Sequence, residues 1–195
     1  MILSDKKNMK HRVSYAIFFV FLMGCFFFPS RRVETTSEHY SLFRYTGDGH
    51  LPVYNVHTKE HVDLVYRDAE GKYQNEALAQ IDTLFACPFQ QERTTISLRL
   101  IELLDHLQDH FGAQEIDFIS GYRSPEYNAK LKNRNSRVAK YSMHLHGRAA
   151  DIRLRGTNSR TLRNYAISLK AGGVGYYGRT QFVHVDTGPV RSWYR

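Results

Sequence analysis

The chain has 195 residues, a length that suits one domain plus a targeting segment. Hydrophobic residues make up 42% of it, enough for one packed core, and only two cysteines are present, so neither a disulfide framework nor a cysteine zinc site is supported. The formal net charge of +8 fits an anionic partner such as a cell wall polymer or a lipid surface, or solubility alone. Nucleic acid is not favoured, because no run of Lys and Arg interleaved with aromatic residues follows residue 30.

The N-terminal segment has the pattern of an export signal. Residues 13–28 are almost continuously apolar, and the stretch before them, residues 5–12, is basic on balance. We therefore predict that residues 1–30 are a signal anchor or a signal peptide and that residues 13–28 contact a membrane. The run is a little shorter than the ~20 residues of a usual spanning helix. Three fates stay open: an uncleaved anchor, cleavage, or lipid attachment at Cys25, since residues 22–25 resemble a lipobox.

The rest of the chain predicts a polar linker over residues 31–41 and one folded domain over residues 42–195. In this domain the spacing of apolar residues predicts a β-hairpin, four helices and three further strands. Gly112 is expected to end the second helix, and Ser124 with Pro125 to begin the third. The hairpin is predicted at 51–56 and 62–66, the helices at 74–86, 95–111, 125–133 and 159–170, and the strands at 116–119, 149–154 and 182–186.

Polar residues beside glycine are concentrated in the C-terminal half. His144 stands in a predicted loop, a glycine turn follows, and a strand then carries Asp151. In the strand at 182–186, His184 and Asp186 point to the same face, because strand side chains alternate. Two neutral imidazoles and one carboxylate form a catalytic zinc set that leaves a position for water. Asp186 then serves as the base or as a partner of a ligand.

The alternative to a metal site is that these are ordinary surface or core residues, since the chain has ten histidines. The His-Glu-x-x-His signature of helical zinc peptidases is absent.

The motif Ser-x-His-x-x-Gly-x-Ala-x-Asp at 142–151, followed by His-x-Asp at 184–186, resembles the LAS group of zinc peptidases, which includes D-Ala-D-Ala carboxypeptidases and murein endopeptidases. Within this group the chain is most similar to the murein endopeptidase K family. The resemblance covers roughly residues 51–193 and continues in the segments 119–124, 137–140, 171–177 and 182–189.

The resemblance implies one Zn²⁺ per chain, with His144, Asp151 and His184 as ligands. It also implies that Arg123 holds substrate or stabilises the oxyanion, which suits a fixed guanidinium. Ser142 is expected to orient the site by hydrogen bonding. A tight turn is expected at 172–177, with Tyr176 or Tyr177 lining the cleft or packing in the core.

One position departs from the pattern of the group, where many enzymes carry an acidic or imidazole base three residues before the last zinc histidine. Here that residue is Gln181, which cannot take a proton, so Asp186 is the candidate base. The expected fold is α+β, a small antiparallel sheet with helices packed on it, preceded by the N-terminal membrane segment.

The function implied by the resemblance is hydrolysis of peptide cross-links in peptidoglycan during cell wall remodelling, at a bond to meso-diaminopimelate. Trimming of stem peptides by a D,D- or L,D-carboxypeptidase and a non-catalytic wall-binding module are the alternatives. The expected location is the periplasmic face of the inner membrane, or the periplasm if the signal is cleaved. A regulator is expected on general grounds, but no residue indicates one.

Overall fold

The computed structural model describes residues 43–136 and 138–195. The predicted membrane segment at 13–28, the linker and Cys25 lie outside the described residues, so those predictions stay predictions. Within the described ranges, no helix is long and apolar enough to cross a membrane.

The described residues form seven strands and four α-helices. The strands are β1 (His50–Asn55), β2 (His61–Val65), β3 (Ile116–Ser120), β4 (Ala149–Leu154), β5 (Gly173–Tyr177), β6 (Phe182–Asp186) and β7 (Arg191–Tyr194). The helices are α1 (Asn75–Leu84), α2 (Leu98–Phe111), α3 (Pro125–Arg134) and α4 (Ser159–Leu169), and a short 3₁₀ helix spans Met143–His146. The predicted hairpin, four helices and strands β3, β4 and β6 are thereby confirmed.

All seven strands form one sheet in the order β2-β1-β3-β4-β6-β5-β7. The pairs β1/β3 and β5/β7 are parallel and the other pairs are antiparallel, so the expectation of a small antiparallel sheet is wrong, although the α+β class is confirmed. Strands β1 and β3 run in one direction because the chain between them contains α1 and α2 and returns to the same end of the sheet. Strand β7 pairs with β5 at the edge of the sheet and runs parallel to it, because β5 and β7 both run in the direction opposite to β6.

The sequence explains where the helices begin and end. Apolar residues recur along α2 at helical spacing and are buried, and Gly112 ends the helix in the left-handed conformation at φ 55°. Ser124 begins α3, and its side-chain oxygen accepts a hydrogen bond from the backbone N–H of Tyr127 at 3.3 Å.

Strand alternation separates the core from the other face of the sheet. Ala150, Ile152, Val183 and Val185 join the buried hydrophobic cluster formed with α1, α2 and α4. Their neighbours in sequence, including Asp151 and His184, point to the opposite face.

The segment predicted as a tight turn at 172–177 is mostly strand β5, so that prediction is wrong. Its glycines allow close approach to neighbouring strands: a Cβ on Gly172 would lie 1.8 Å from the carbonyl oxygen of Asp186, and one on Gly175 would lie 2.4 Å from the Trp193 ring. Glycine in a strand often marks such close contact.

Candidate metal centre

Three side chains converge on one point at the face of the sheet away from the core. Asp151 in β4 and His184 in β6 lie directly opposite each other in the antiparallel register, and the 3₁₀ helix delivers His144. His144 Nε2 lies 3.2 Å from Asp151 Oδ1 and 3.1 Å from His184 Nδ1, and His184 Nδ1 lies 2.8 Å from Asp151 Oδ1. All three residues are buried. The structure thus brings together the three residues predicted as zinc ligands.

The hydrogen bonds behind the two imidazoles determine which nitrogens face this point. His144 Nδ1 lies 2.6 Å from the carbonyl oxygen of Gly121, and His184 Nε2 lies 2.9 Å from Asp186 Oδ2. Because a carbonyl and a carboxylate accept hydrogen bonds, each ring carries its proton on that side. The other nitrogens therefore turn lone pairs toward Asp151, as metal-binding imidazoles do.

Three lone pairs that face one another in a buried site repel one another unless a cation lies between them. The donor atoms of a tetrahedral zinc site, each ~2.0–2.1 Å from the ion, stand about 3.3 Å apart, close to the separations seen here. The residues present therefore fit one Zn²⁺.

The charges at the centre follow from burial and pairing. Burial lowers the pKa of His144 to about 4, which keeps that imidazole neutral. Burial also lowers the pKa of His184, but hydrogen bonds with Asp151 and Asp186 outweigh it and raise the pKa above its usual value. Burial raises the pKa of Asp151, yet the two histidines and Arg123 outweigh it, so its pKa lies well below the usual range and the carboxylate is ionised.

Asp186 lies behind His184 and does not line the cleft. Its Oδ1 accepts hydrogen bonds from the backbone N–H groups of Gly173 at 3.0 Å and Gly188 at 2.8 Å, and its Oδ2 accepts one from Arg191 at 2.6 Å. Burial raises its pKa, but these donors and His184 outweigh it and hold the pKa far below the usual range. The geometry therefore fits a partner that orients His184, one of the two roles predicted for Asp186, and does not fit a base.

Arg123 and Ser142 both line the cleft beside the centre. The Arg123 guanidinium donates to Asp151 Oδ2 at 2.6 Å and to Ser120 Oγ at 3.1 Å. Ser142 Oγ accepts a hydrogen bond from the backbone N–H of His144 at 3.4 Å and begins the 3₁₀ helix. Both residues therefore contact members of the candidate metal centre, and their roles toward substrate stay predictions.

Tyr176 does not lie in the cleft. Its side chain is 1% exposed and belongs to the core, and its hydroxyl donates to Gln181 Oε1 at 3.1 Å. The cleft is lined by Tyr177 instead, because neighbouring strand residues point to opposite faces. Of the two tyrosines predicted to line the cleft, Tyr177 does so, and Tyr176 is no longer a candidate substrate-binding residue. Gln181 is also absent from the lining of the cleft, because it lies in the turn between β5 and β6.

The cleft over the centre has a volume of about 410 Å³. One part of its lining comes from the end of α3 and the loop after it, and another from β5, β6, β7 and the residues beside them. Arg191 and Trp193 also line it and were not predicted from the sequence. Gly175 was the one sequence feature that could have indicated Trp193, because a glycine in a strand often marks a bulky neighbour. Trp193 lies opposite Gly175 in register, and its indole ring lies 5.1 Å from the His184 ring between centroids.

Two imidazoles and a carboxylate at the floor of an open cleft define the centre of a mononuclear metallohydrolase. Residues 46–193 match the family described as peptidoglycan L,D-endopeptidase MepK, and the chain belongs to this family. It is 39% identical over 144 residues to the peptidoglycan L,D-endopeptidase MepK of Escherichia coli strain K12, covering 73% of this chain and 79% of that protein. It is 35% identical over 141 residues to the probable peptidoglycan L,D-endopeptidase MepK of Haemophilus influenzae, covering 71% and 75%. No solved structure matches the chain. The predicted family is confirmed.

Proposed function

We propose that this peptidoglycan endopeptidase uses one Zn²⁺, held by His144, Asp151 and His184, to hydrolyse peptide cross-links at an L,D-bond to meso-diaminopimelate. The observation that carries the proposal is the convergence of three buried lone pairs, each oriented from behind, at the floor of a cleft. Family membership supports the substrate, and the names of the relatives support the L,D-bond.

A zinc ion bound here would polarise the scissile carbonyl and lower the pKa of a water molecule. The chain's own residues hold the arrangement in place. The Gly121 carbonyl and the Asp186 carboxylate keep the protons of His144 and His184 on the far side of each ring. Arg123 holds the outer oxygen of Asp151 and lines the cleft, which supports a role in stabilising negative charge on the substrate.

The proton acceptor in this reaction is not Asp186 under this proposal. Its carboxylate is fully used by two backbone amides, Arg191 and His184, and a carboxylate with a strongly lowered pKa is a poor base. Among the described residues that line the cleft, Asp151 is the only carboxylate. We therefore assign Asp186 as a positioning residue that acts through His184.

The N-terminal sequence supports action outside the cytoplasm. The basic stretch at 5–12 and the apolar run at 13–28 favour export, and peptidoglycan is an extracytoplasmic polymer. We propose that the chain works at the periplasmic face of the inner membrane, held through residues 13–28 or by a lipid on Cys25, or in the periplasm if the segment is cleaved.

The test is digestion of purified peptidoglycan by the full chain in mild detergent, with muropeptides identified by mass spectrometry. We expect cross-linked dimers to decrease and monomers to increase, chelation to stop the reaction, and Zn²⁺ to restore it. His184→Ala should be inactive. The matched control is His146→Ala, which removes an exposed histidine of the same 3₁₀ helix and should keep activity.

Two other outcomes would contradict the proposal. Shortening of free stem peptides with dimers unchanged would indicate a carboxypeptidase. Stoichiometric zinc binding with no change in any muropeptide would indicate a wall-binding module.

A further inference from the structure

One part of the cleft's lining is strongly basic on its outer side. Residues 130–140, at the end of α3 and in the loop after it, contain five Lys and Arg and no Asp or Glu. Leu131, Asn135, Val138 and Ala139 from this segment line the cleft. The structure describes four of the cations, and all four are exposed; we call them the basic rim: Lys130, Lys132, Arg134 and Lys140.

The charges of the basic rim are not neutralised within the described part of the protein. None of its four residues belongs to an ion pair there: Lys130 lies over the Phe89 ring at 3.6 Å and Lys140 over the Tyr141 ring at 5.3 Å. The arginines nearer the centre differ, since Arg123 is paired with Asp151 and Arg191 with Asp186. The rim therefore offers a positive field beside a cleft in which Arg123 and Arg191 are already paired with carboxylates.

Stabilisation of α3 accounts for only some of the cations in the basic rim. Cations in the last turn of a helix interact favourably with its dipole, which accounts for Lys132 and Arg134. Lys140 lies six residues beyond the end of the helix, where that effect is lost. Asn128 Nδ2 donates to the carbonyl oxygen of Ala139 at 3.2 Å and so holds the loop against α3 at the residue before Lys140.

We propose that the basic rim binds carboxylates of the peptidoglycan polymer around the cross-link in the cleft. This inference rests on the proposed function and adds a second, electrostatic contact with the same substrate. Stem peptides carry free carboxylates at repeated positions along a glycan strand. Lysine suits such a target, because its ammonium group is a flexible point charge that needs no fixed partner geometry. Several weak contacts to one polymer also add, since each raises the local concentration for the next.

Position favours the polymer over an anionic membrane as the partner. Leu131, Asn135, Val138 and Ala139 line the cleft and lie between the rim residues in sequence, so a lipid surface lying on the rim would cover the opening through which a polymer must enter. A wall strand lying on the rim would extend into the cleft.

The experiment measures binding to purified sacculi by sedimentation, using the full chain with His184→Ala so that nothing is cut. The rim variant carries Lys132→Gln, Arg134→Gln and Lys140→Gln. The control variant carries Lys72→Gln, Arg93→Gln and Arg160→Gln, exposed cations that do not line the cleft. Each variant removes three positive charges from the net charge of +8. Thermal unfolding verifies that both are folded.

We expect the rim variant to bind sacculi on the order of tenfold more weakly and the control variant within about twofold of the parent, since each exposed charge contact contributes modestly. The difference should disappear at high salt and on sacculi whose carboxylates have been amidated.

Equal binding of both variants to native sacculi would overturn the proposal, as would a rim defect that persists on amidated sacculi. A rim defect seen only with phosphatidylglycerol vesicles would assign the surface to the membrane instead. Hydrolysis of a soluble cross-linked dimer by the chain with intact His184 is measured in parallel. Failure there would reject the proposed function without deciding the binding result.

Discussion

Replacing Asp186 by Asn distinguishes a residue that positions His184 from a residue that acts as the general base. The Asn Oδ1 can still accept from the backbone amides of Gly173 and Gly188. The new NH₂ group would take the place of Oδ2, where it would face the Nε2–H of His184 and the guanidinium of Arg191, both of which are donors. This clash between donors is removed only if His184 moves its proton to Nδ1, the atom that faces the metal position.

The expected loss is about 10- to 100-fold in zinc affinity, which is the usual effect of removing a carboxylate behind a metal-bound histidine. This corresponds to about 1.4 to 2.8 kcal/mol. Zinc affinity is measured by competition with a chromophoric chelator, and the pH profile of kcat/KM is measured on the zinc-saturated variant. The control is Asp117→Asn, which breaks the ion pair between Asp117 in β3 and Arg155 just after β4 and should leave zinc affinity unchanged.

The opposite pattern would refute the positioning role. If Asp186 were the base, Asp186→Asn would bind zinc as well as the parent, lose roughly 10²- to 10⁴-fold in kcat, and lose the acidic limb of the pH profile.

Three further predictions concern protonation and packing. Zinc affinity should increase with pH, because the raised pKa of His184 favours a second proton on Nδ1, which must leave before the metal binds. His144, with a pKa lowered to about 4, is already neutral. Zinc affinity that does not change as pH rises above the ordinary pKa of histidine would contradict this. Gly175→Val should destabilise the fold by about 1–3 kcal/mol, because its Cβ would meet the Trp193 ring, and an unchanged melting temperature would show that the strands part easily. Burial raises the pKa of the Asp105 carboxyl group to about 7, so the folded state binds the carboxyl proton more tightly than the unfolded state does. The free energy of unfolding should therefore decrease as pH rises from about 4 to about 7. Asp105→Asn should weaken this pH dependence in urea unfolding, and an unaltered slope would contradict the reasoning.

The ligand set could be predicted from sequence because its members lie on regular elements or in a specific motif. Strand alternation alone places His184 and Asp186 on one face, and the structure confirms that strand. Alternation could not distinguish a base from a positioning residue, since that depends on Gly173, Gly188 and Arg191 closing around the carboxylate. Those contacts come from separate segments that meet only in the folded chain.

The mixed sheet was missed for a related reason. The sequence of one strand does not state which partner it pairs with, so the parallel pairs β1/β3 and β5/β7 left no local signal. Glycines at 172, 173 and 175 were interpreted as a turn. In the structure each glycine instead allows close packing: Gly172 and Gly173 lie against Asp186, and Gly175 lies against Trp193. The error at Tyr176 followed, because one wrong element type removes the alternation that separates Tyr176 from Tyr177.

The metal site depends on how an element outside the sheet is docked. Register alone pairs Asp151 with His184, whereas His144 reaches them only if the 3₁₀ helix is held in place. Gly147 ends that helix at φ 60°, and a Cβ there would lie 2.7 Å from the carbonyl oxygen of Thr95. Gly147→Ala should therefore displace His144 and weaken zinc binding, although it alters no ligand.

Gly156→Ala is the matched control for this variant. Its backbone also has positive φ, at 81°, but a Cβ there would meet nothing within 4 Å. Both variants should incur the left-handed backbone cost of roughly 1–2 kcal/mol, measured by urea unfolding with a chelator present. Only Gly147→Ala should also lose zinc affinity. Equal zinc affinity in the two variants would mean that His144 reaches the metal whatever the position of its helix, and that the two strands alone define the site.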